Sequence, residues 1–342
     1  MKKTIAISLF FLLMFAIISI ITIIFFHNCD KSTSIVAIDL GDYADNEYNN
    51  LIAGGNLLRI NDEVYYNYEN GDKYSIIRFT RNTQETIFKD KSHINPHPSL
   101  YEPLRSYDGK VITYFYSDQN IKEYHKKNNE WKKCSALNSV PDISLDYYNY
   151  NGDYIYSISE NDERTLIRFS KNEKTVICDS IQSFTVNDDN VYFCESDKNN
   201  QKCYLKNYNI SNKETSVLCD FPYSNVTQMF AENRFVVICS DSIYKFDINS
   251  GNNSLKKIEI DGNDFNSCNV YNNKLYIAMS KGIYSYDLTT DSSEKIISDF
   301  AYECYIVDDE HIFFVDRINN LWSVSLSDRK VKKIYPSTPS RK

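Results

Sequence analysis

The chain has 342 residues, of which 42% are hydrophobic, 7 are Pro and 9 are Gly. This composition excludes a disordered or collagen-like chain, and the length suffices to bury a large core. The 46 acidic and 38 basic residues give a net charge of −8. A surface of that sign repels phosphate backbones, so we expect no nucleic-acid partner.

The first feature along the chain is an apolar run from Ile5 to Phe26 that contains no charge, no Pro and no Gly. As a helix it would span roughly 33 Å, which is enough to cross the hydrocarbon layer of a bilayer. A cleavable signal has a shorter apolar core with small residues before the cut. We therefore predict that residues 1–29 form an uncleaved signal anchor, a transmembrane helix with Lys2 and Lys3 in the cytoplasm.

Cys29 adds a lipoprotein as a second alternative to the anchor. Cys29 followed by Asp30 resembles the end of a bacterial lipoprotein signal, where the cysteine becomes lipidated. Phe26 and Asn28 depart from the small residues of such a signal, so the sequence favours the anchor over a lipoprotein. Ordinary secretion is the third alternative. All three place the rest of the chain on the extracytoplasmic side.

Residues 30–50 are predicted to be an acidic spacer. The stretch 39–47 contains four carboxylates that could gather around a cation, but it lacks the spacing of a calcium loop, so we predict a flexible spacer. Ser34 to Leu40 is strand-like. We hypothesise that it pairs with the last repeat of the following domain and fastens it.

Residues 51–336 repeat one pattern seven times, with a period of about 40 residues. Each repeat has a turn of Asn, Asp or Gly, an apolar run, a polar break and a second run that ends in an aromatic or β-branched residue. Short β-rich runs at this period are typical of a β-propeller. The first runs begin at Glu63, Lys110, Asp153, Asn190, Arg234, Lys274 and His311, and the second runs end at Phe79, Tyr124, Phe169, Tyr208, Phe246, Tyr286 and Val324.

The turns before the first runs complete the prediction for each repeat. Asn-Gly and Asp-Gly supply the positive φ angles of a tight hairpin, so the segment before each turn should be an antiparallel strand. A fourth strand follows each second run. We therefore predict an all-β, seven-bladed β-propeller of four-stranded antiparallel blades over residues 51–336, with residues 337–342 as a tail.

Eight cysteines lie within the predicted propeller. The best disulfide candidate is Cys194 with Cys203, which flank a hairpin loop, and the alternative is free thiols that act as small buried hydrophobes. No Cys-x-x-Cys occurs, which argues against zinc-ribbon and thioredoxin-like sites. The eight are Cys134, Cys178, Cys194, Cys203, Cys219, Cys239, Cys268 and Cys304.

Catalytic and metal signals are weak. His93 and His97 have the spacing of two ligands on a helix, but Pro96 and Pro98 forbid that helix and predict a connecting loop. The acidic pairs Asp188-Asp189 and Asp308-Asp309 stand at predicted hairpins, which indicates turn chemistry. We predict no catalytic residue, no metal site and no cofactor.

The remaining lead is a set of tyrosines near the early repeats, whose amphipathic rings suit sugars or peptides when they are exposed. Burial between blades is the competing interpretation for each of them. They are Tyr43, Tyr48, Tyr101, Tyr107, Tyr147, Tyr148 and Tyr150.

Several repeats resemble a known group. Val64-Tyr-Tyr, Ile155-Tyr-Ser and Ile312-Phe-Phe-Val-Asp316 look like the YWTD-type repeats of low-density-lipoprotein-receptor-related proteins, whose bacterial relatives form a family of surface propellers. The run from Ile243 to Gly251 also resembles the repeats of quinone-type propellers such as outer-membrane assembly lipoproteins. These resemblances imply a propeller at a cell surface and lend no catalytic residue.

Two functions follow as hypotheses. We favour a monomeric, non-catalytic binding or scaffold module, not an enzyme, that recognises a protein, peptide or cell-wall glycan. The alternative is a propeller glycoside hydrolase or lyase that acts on an extracellular polysaccharide. It needs acids that converge from the innermost strands. Phe184, Gln228, Cys268 and Cys304 occupy equivalent positions there, and none is an acid.

Overall fold

A computed structural model describes residues 38, 40–44, 46–70, 73–90, 103–115, 119–160, 163–197, 199–222, 224–260, 265–306 and 308–335. The predicted anchor over residues 1–29, the pair His93 and His97, and the tail 337–342 lie outside these ranges. Within them, no helix combines the length and the apolar character that crossing a bilayer requires.

The described strands form seven four-stranded antiparallel sheets, each made of strands consecutive in the chain. The predicted seven-bladed propeller is confirmed. Blade 1 contains β1 (Leu57–Ile60), β2 (Glu63–Asn70), β3 (Lys73–Phe79) and β4 (Gln84–Asp90). Blade 2 contains β5 (Arg105–Tyr107), β6 (Lys110–Phe115), β7 (Asn120–His125) and β8 (Glu130–Lys133). Blade 3 contains β9 (Tyr147–Tyr150), β10 (Asp153–Glu160), β11 (Glu163–Ser170) and β12 (Glu173–Cys178). Blade 4 contains β13 (Ile181–Asn187), β14 (Asn190–Asp197), β15 (Lys202–Asn209) and β16 (Thr215–Pro222).

The last three blades continue the pattern. Blade 5 contains β17 (Gln228–Glu232), β18 (Phe235–Cys239), β19 (Ile243–Asp247) and β20 (Lys256–Ile258). Blade 6 contains β21 (Phe265–Tyr271), β22 (Lys274–Met279), β23 (Gly282–Asp287) and β24 (Ser293–Ile297). Blade 7 contains β25 (Glu303–Tyr305), β26 (His311–Val315), β27 (Leu321–Ser325) and β28 (Val331–Tyr335). Single-turn 3₁₀ segments cover Leu137–Ser139 and the stretch Ile248–Asn253.

The hairpins between the first and second strands of blades 1 to 6 contain a non-glycine residue in the left-handed region, as the Asn and Asp residues there predict. These residues are Asn61, Asp108, Asn151, Asp188, Asn233 and Asn272. The seventh hairpin is a wider loop, in which the Asp308 carboxylate accepts the N–H groups of Glu310 and His311 at 2.9 and 2.7 Å. Turn chemistry is thus confirmed for Asp308, and its backbone also forms an isolated antiparallel bridge with Tyr43.

The core consists of apolar clusters between neighbouring blades. Second strands are covered on both faces, so β18 is buried along its whole length. The cluster between blades 7 and 1 joins Phe313 and Leu321 to Tyr66 and Phe79. This contact closes the ring.

A short helix, α1 (Glu47–Ile52), precedes blade 1 and contacts β1, β17 and β21. Because these are innermost strands of three separate blades, α1 lies at the axis of the ring. The prediction of a flexible spacer over residues 30–50 is therefore wrong for its last residues, since Asn46 and Asn50 are buried inside the propeller. Of the segment 34–40, only Ile38 and Leu40 are described, and both pack at the junction of blades 7 and 1. The ring-fastening strand stays a prediction.

The eight cysteines of the described blades are free thiols, so the alternative to a disulfide holds for them. Cys194 faces Leu205 across the hairpin and Cys203 faces Ser196, so the disulfide candidates are not opposite each other. All are buried except Cys178, which is half-buried. They fill the core as small hydrophobes.

Candidate ligand-binding cleft

A cleft of about 820 Å³ opens where the first hairpins of blades 1 and 2 meet the wide loop of blade 7. One wall is the segment that leads into α1, and the other walls are hairpin residues. Polar side chains dominate the lining. The lining residues are Leu40, Gly41, Asp42, Tyr43, Arg59, Ile60, Asn61, Asp62, Arg81, Ser106, Gly109 and Glu310.

Arg59 organises this cleft. It lies in the innermost strand β1, and only 8% of it is exposed. Its Nε donates to the Asn61 carbonyl at 2.8 Å, and its Nη1 donates to the Gly41 and Asp42 carbonyls at 3.1 and 3.4 Å. A buried guanidinium needs such acceptors, and here they belong both to the hairpin and to the amino-terminal segment. Arg59 therefore fixes one wall of the cleft to another.

Tyr43 is the aromatic residue of the cleft. Its ring centre lies 5.5 Å from the Arg59 guanidinium carbon, which is a cation–π distance. Half of Tyr43 is exposed, so the residue presents surface to solvent in the cleft.

The other tyrosines that the sequence singled out differ from Tyr43 in their exposure. Tyr147 is buried, and Tyr107, Tyr148 and Tyr150 pack in the junctions on either side of blade 3. Tyr101 and the side chain of Tyr48 lie outside the described part of the chain. Exposure in a cleft is thus found for Tyr43 alone among the five whose side chains are described.

Charges of both signs stand around the cleft. Arg81 and Asp62 form a loose pair at 3.9 Å, and their side chains are 72% and 75% exposed. Asp42 and Glu310 add negative charge to the same rim. Such a rim offers hydrogen-bond donors and acceptors side by side, which suits a ligand rich in hydroxyl or amide groups.

A second polar cluster lies at the opposite end of the axis. The Glu303 carboxylate accepts hydrogen bonds from the Tyr305 hydroxyl and, at 2.9 Å, from Asn56 Nδ2. Burial raises the pKa of Glu303 more than these two bonds lower it. Sequence reasoning missed this acid because it inspected the neighbouring position, Cys304. The only available signal was a lone Glu at the start of an innermost strand.

Glu232 is the other acid with a raised pKa in the innermost strands, and burial is again the main cause. It ends β17, whereas Glu303 begins β25. In the strand register Glu303 is the counterpart of Gln228, so the two acids differ by four residues along equivalent strands, or roughly 13 Å. A glycosidase pair stands about 5 to 10 Å apart, so these two acids do not form one.

Within the described ranges, no three His, Cys, Asp or Glu side chains are arranged to hold a metal ion.

The chain matches no protein-family model, and no curated protein matches it. The YWTD-type resemblance therefore gains no support beyond the shared propeller architecture. Solved structures do match. Puromycin hydrolase is 9% identical with a TM-score of 0.54, over 87% of this chain and 56% of that chain.

Two further matches are similar in quality. A prolyl endopeptidase structure is 11% identical with a TM-score of 0.52, over 84% of this chain and 50% of that chain. The extracellular domain of BT4673 from B. thetaiotaomicron is 12% identical with a TM-score of 0.51, over 88% of this chain and 40% of that chain. The chain thus spans about half the length of the two hydrolytic enzymes.

These matches correct one prediction. The prediction that the chain is not an enzyme is wrong. It was inferred from a propeller that contains few catalytic motifs, but propellers of this kind occur in puromycin hydrolase and in prolyl endopeptidases. At 9–11% identity the likeness establishes the fold and leaves enzymatic activity unestablished. What the structure and the comparisons show together is a seven-bladed β-propeller.

Proposed function

We propose that the chain is a ligand-recognition propeller held at the outer face of a membrane, and that the cleft around Tyr43 binds a glycan. The observation that carries the proposal is a half-exposed aromatic ring in a cleft whose other side chains are mostly polar or charged. A sugar presents C–H groups to an aromatic face and hydroxyl groups to the surrounding amides, carboxylates and guanidinium groups.

A peptide ligand is the competing occupant. Peptide grooves bind through apolar pockets for alternate side chains or through an open strand edge. Here the apolar lining is limited to Leu40, Ile60 and the Tyr43 ring. The composition of the cleft therefore favours the glycan over the peptide or protein ligand.

The binding test uses full-length protein and soluble cell-wall glycan fragments, with a random peptide library as the second arm. We expect Tyr43→Ala to weaken glycan binding about tenfold, because truncation of a central aromatic contact commonly costs more than 1 kcal/mol. Tyr302→Ala is the matched control, since Tyr302 is also 50% exposed but lies outside the cleft. Equal affinities for the two variants, or binding of peptides alone, would contradict the proposal.

The membrane address is supported by the apolar run from Ile5 to Phe26. We expect the full-length protein to stay in membranes after carbonate extraction and to be cleaved by protease added to intact cells. Conversion of Cys29 to Ser should leave that retention unchanged. Release of the Cys29→Ser protein would support lipidation instead.

A further inference from the structure

Helix α1 is hydrogen-bonded to blades that lie far apart around the ring. Glu47 accepts the Ser106 N–H of blade 2 at 2.9 Å. The Ile52 carbonyl accepts Gln228 Nε2 of blade 5 at 2.9 Å. Blades 2 and 5 are three positions apart in a ring of seven, so the helix connects opposite sides of the ring.

The connection to blade 7 is the most complete. Asn50 Nδ2 donates to the Ile306 carbonyl at 2.6 Å, and Asn50 Oδ1 accepts the Ile306 N–H at 2.8 Å. The same oxygen accepts Asn269 Nδ2 of blade 6 at 2.7 Å. Asn50 and Asn269 are 4% and 0% exposed. Removal of the Asn50 side chain would leave the buried carbonyl and N–H of Ile306 without these hydrogen bonds.

The residues after α1 continue this attachment before they enter β1. Asn56 Nδ2 donates to Glu303 of blade 7 at 2.9 Å. Gly54 lies in the left-handed region at φ +141°, and a Cβ there would stand 2.7 Å from the Tyr305 hydroxyl. The backbone must therefore pass close to the innermost strand of blade 7 just before it becomes blade 1.

This path has a consequence for the junction of blades 7 and 1. Every other pair of neighbouring blades is consecutive in the chain. Blade 1 is the first of the series and blade 7 the last, so the chain does not run directly from one to the other. Residues 47–56 are covalently continuous with blade 1 and hydrogen-bonded to blade 7. We infer that α1 is an axial clasp, whose docking keeps the junction of blades 7 and 1 closed and whose release opens that junction before any other.

The test is hydrogen–deuterium exchange on the full-length protein, with Asn50→Ala compared with Asn138→Ala. Asn138 is a close match, because its side chain also bonds both the N–H and the carbonyl of one residue, Ile121, at 3.1 and 2.7 Å. It makes a third bond to the Cys134 carbonyl at 2.7 Å, but it lies in the 3₁₀ segment that follows blade 2 and contacts β7 rather than α1.

We expect Asn50→Ala to raise exchange in α1, β1, β2 and β26 by roughly tenfold or more, while blades 3 and 4 change less. Asn138→Ala should raise exchange only in blade 2 and in the 3₁₀ segment that follows it. Equal loss of protection in all blades, or loss confined to α1, would overturn the inference.

Asn49→Ala is a milder variant for the case in which Asn50→Ala does not fold. It removes two bonds, from Asn49 Nδ2 to the Val270 carbonyl at 3.0 Å and to Asn46 Oδ1 at 3.1 Å. The ranking of the junctions should be the same with a smaller effect. Exchange at the junction of blades 7 and 1 that does not exceed exchange at the junction of blades 3 and 4 would sink the idea.

Discussion

The blade junctions and the axial helix are held by different forces. At the junction of blades 7 and 1, Phe79 and Phe313 are fully buried among other apolar side chains. Around α1, Ile52 packs against an apolar cluster, but most of the attachment consists of hydrogen bonds such as those from Asn46, Asn49 and Asn50. Apolar burial has no preferred direction, so seven different sequences can form similar junctions. Hydrogen bonds are directional, so α1 fits the ring in one orientation.

The largest effect should come from an apolar junction. Phe313→Ala leaves a cavity between blades 7 and 1 and should lower the free energy of unfolding by about 3–5 kcal/mol. Denaturant unfolding followed by fluorescence measures it. Val331→Ala, on the exposed face of the outermost strand of the same blade, should cost less than about 0.5 kcal/mol. Similar costs for the two variants would show that this junction is not the packed core described here.

A smaller effect is expected where polar bonds hold the helix. Arg105 donates to the Leu145 and Tyr147 carbonyls at 2.9 and 2.8 Å and to Glu47 at 2.9 Å. Arg105→Met keeps much of the side-chain length but leaves these acceptors unpaired, so we expect a loss of about 2–4 kcal/mol in the same assay.

Arg81→Met is the control for that substitution. Its side chain is mostly exposed and its pair with Asp62 is loose, so the expected change is within about 0.5 kcal/mol. If Arg105→Met were equally harmless, the attachment of α1 to blade 2 would contribute nothing to stability.

The smallest effect is the pH dependence of the free energy of unfolding that Glu303 causes, beside the residues that follow α1. Because the pKa of Glu303 is raised in the folded protein, the unfolded chain loses this proton first as the pH rises. The contribution of the protonated carboxyl is complete below the ordinary value of 4.5 and is lost as the pH climbs through the higher folded value. Glu303→Gln should remove this part of the pH dependence.

Unfolding of wild type and Glu303→Gln at several pH values between about 4 and 7 measures the difference. The free energies of unfolding of the two proteins should approach each other at acid pH and differ more at neutral pH, where the variant is the more stable. Glu310→Gln, at an exposed position on the cleft rim, serves as the control. Parallel curves for wild type and Glu303→Gln would contradict the assignment.

The blades could be predicted from the sequence because their determinants are local. Asn61, Asp108 and Asn151 mark hairpins through their own backbone preference, and the apolar runs beside them need no knowledge of their partners. The helix at the axis could not be predicted. Its residues include two Asn, which are weak helix formers, and the bonds that stabilise it come from positions as distant as Ile306.

The cleft was predicted only in part. Tyr43 was among the candidates because it lies near the segments that lead into the early blades, and amphipathic tyrosine rings suit sugars or peptides. Arg59 was not, because the run Leu57–Ile60 shows a buried strand and nothing in it indicates that its Arg meets the carbonyls of Gly41 and Asp42. This contact forms only when the ring closes and brings the amino-terminal segment against β1.

The axial position of α1 also determines how the molecule would respond to mechanical force. A pull on the amino-terminal side first loads residues 38 and 40–44, which contact blades 7 and 1, and then the hub, where Glu47, Asn50 and Ile52 share it among blades 2, 7 and 5. Peeling a strand from a sheet edge breaks its bonds one after another. Load applied at the hub must instead break bonds to several blades together, so the propeller should resist extraction better than a sheet gripped at its rim.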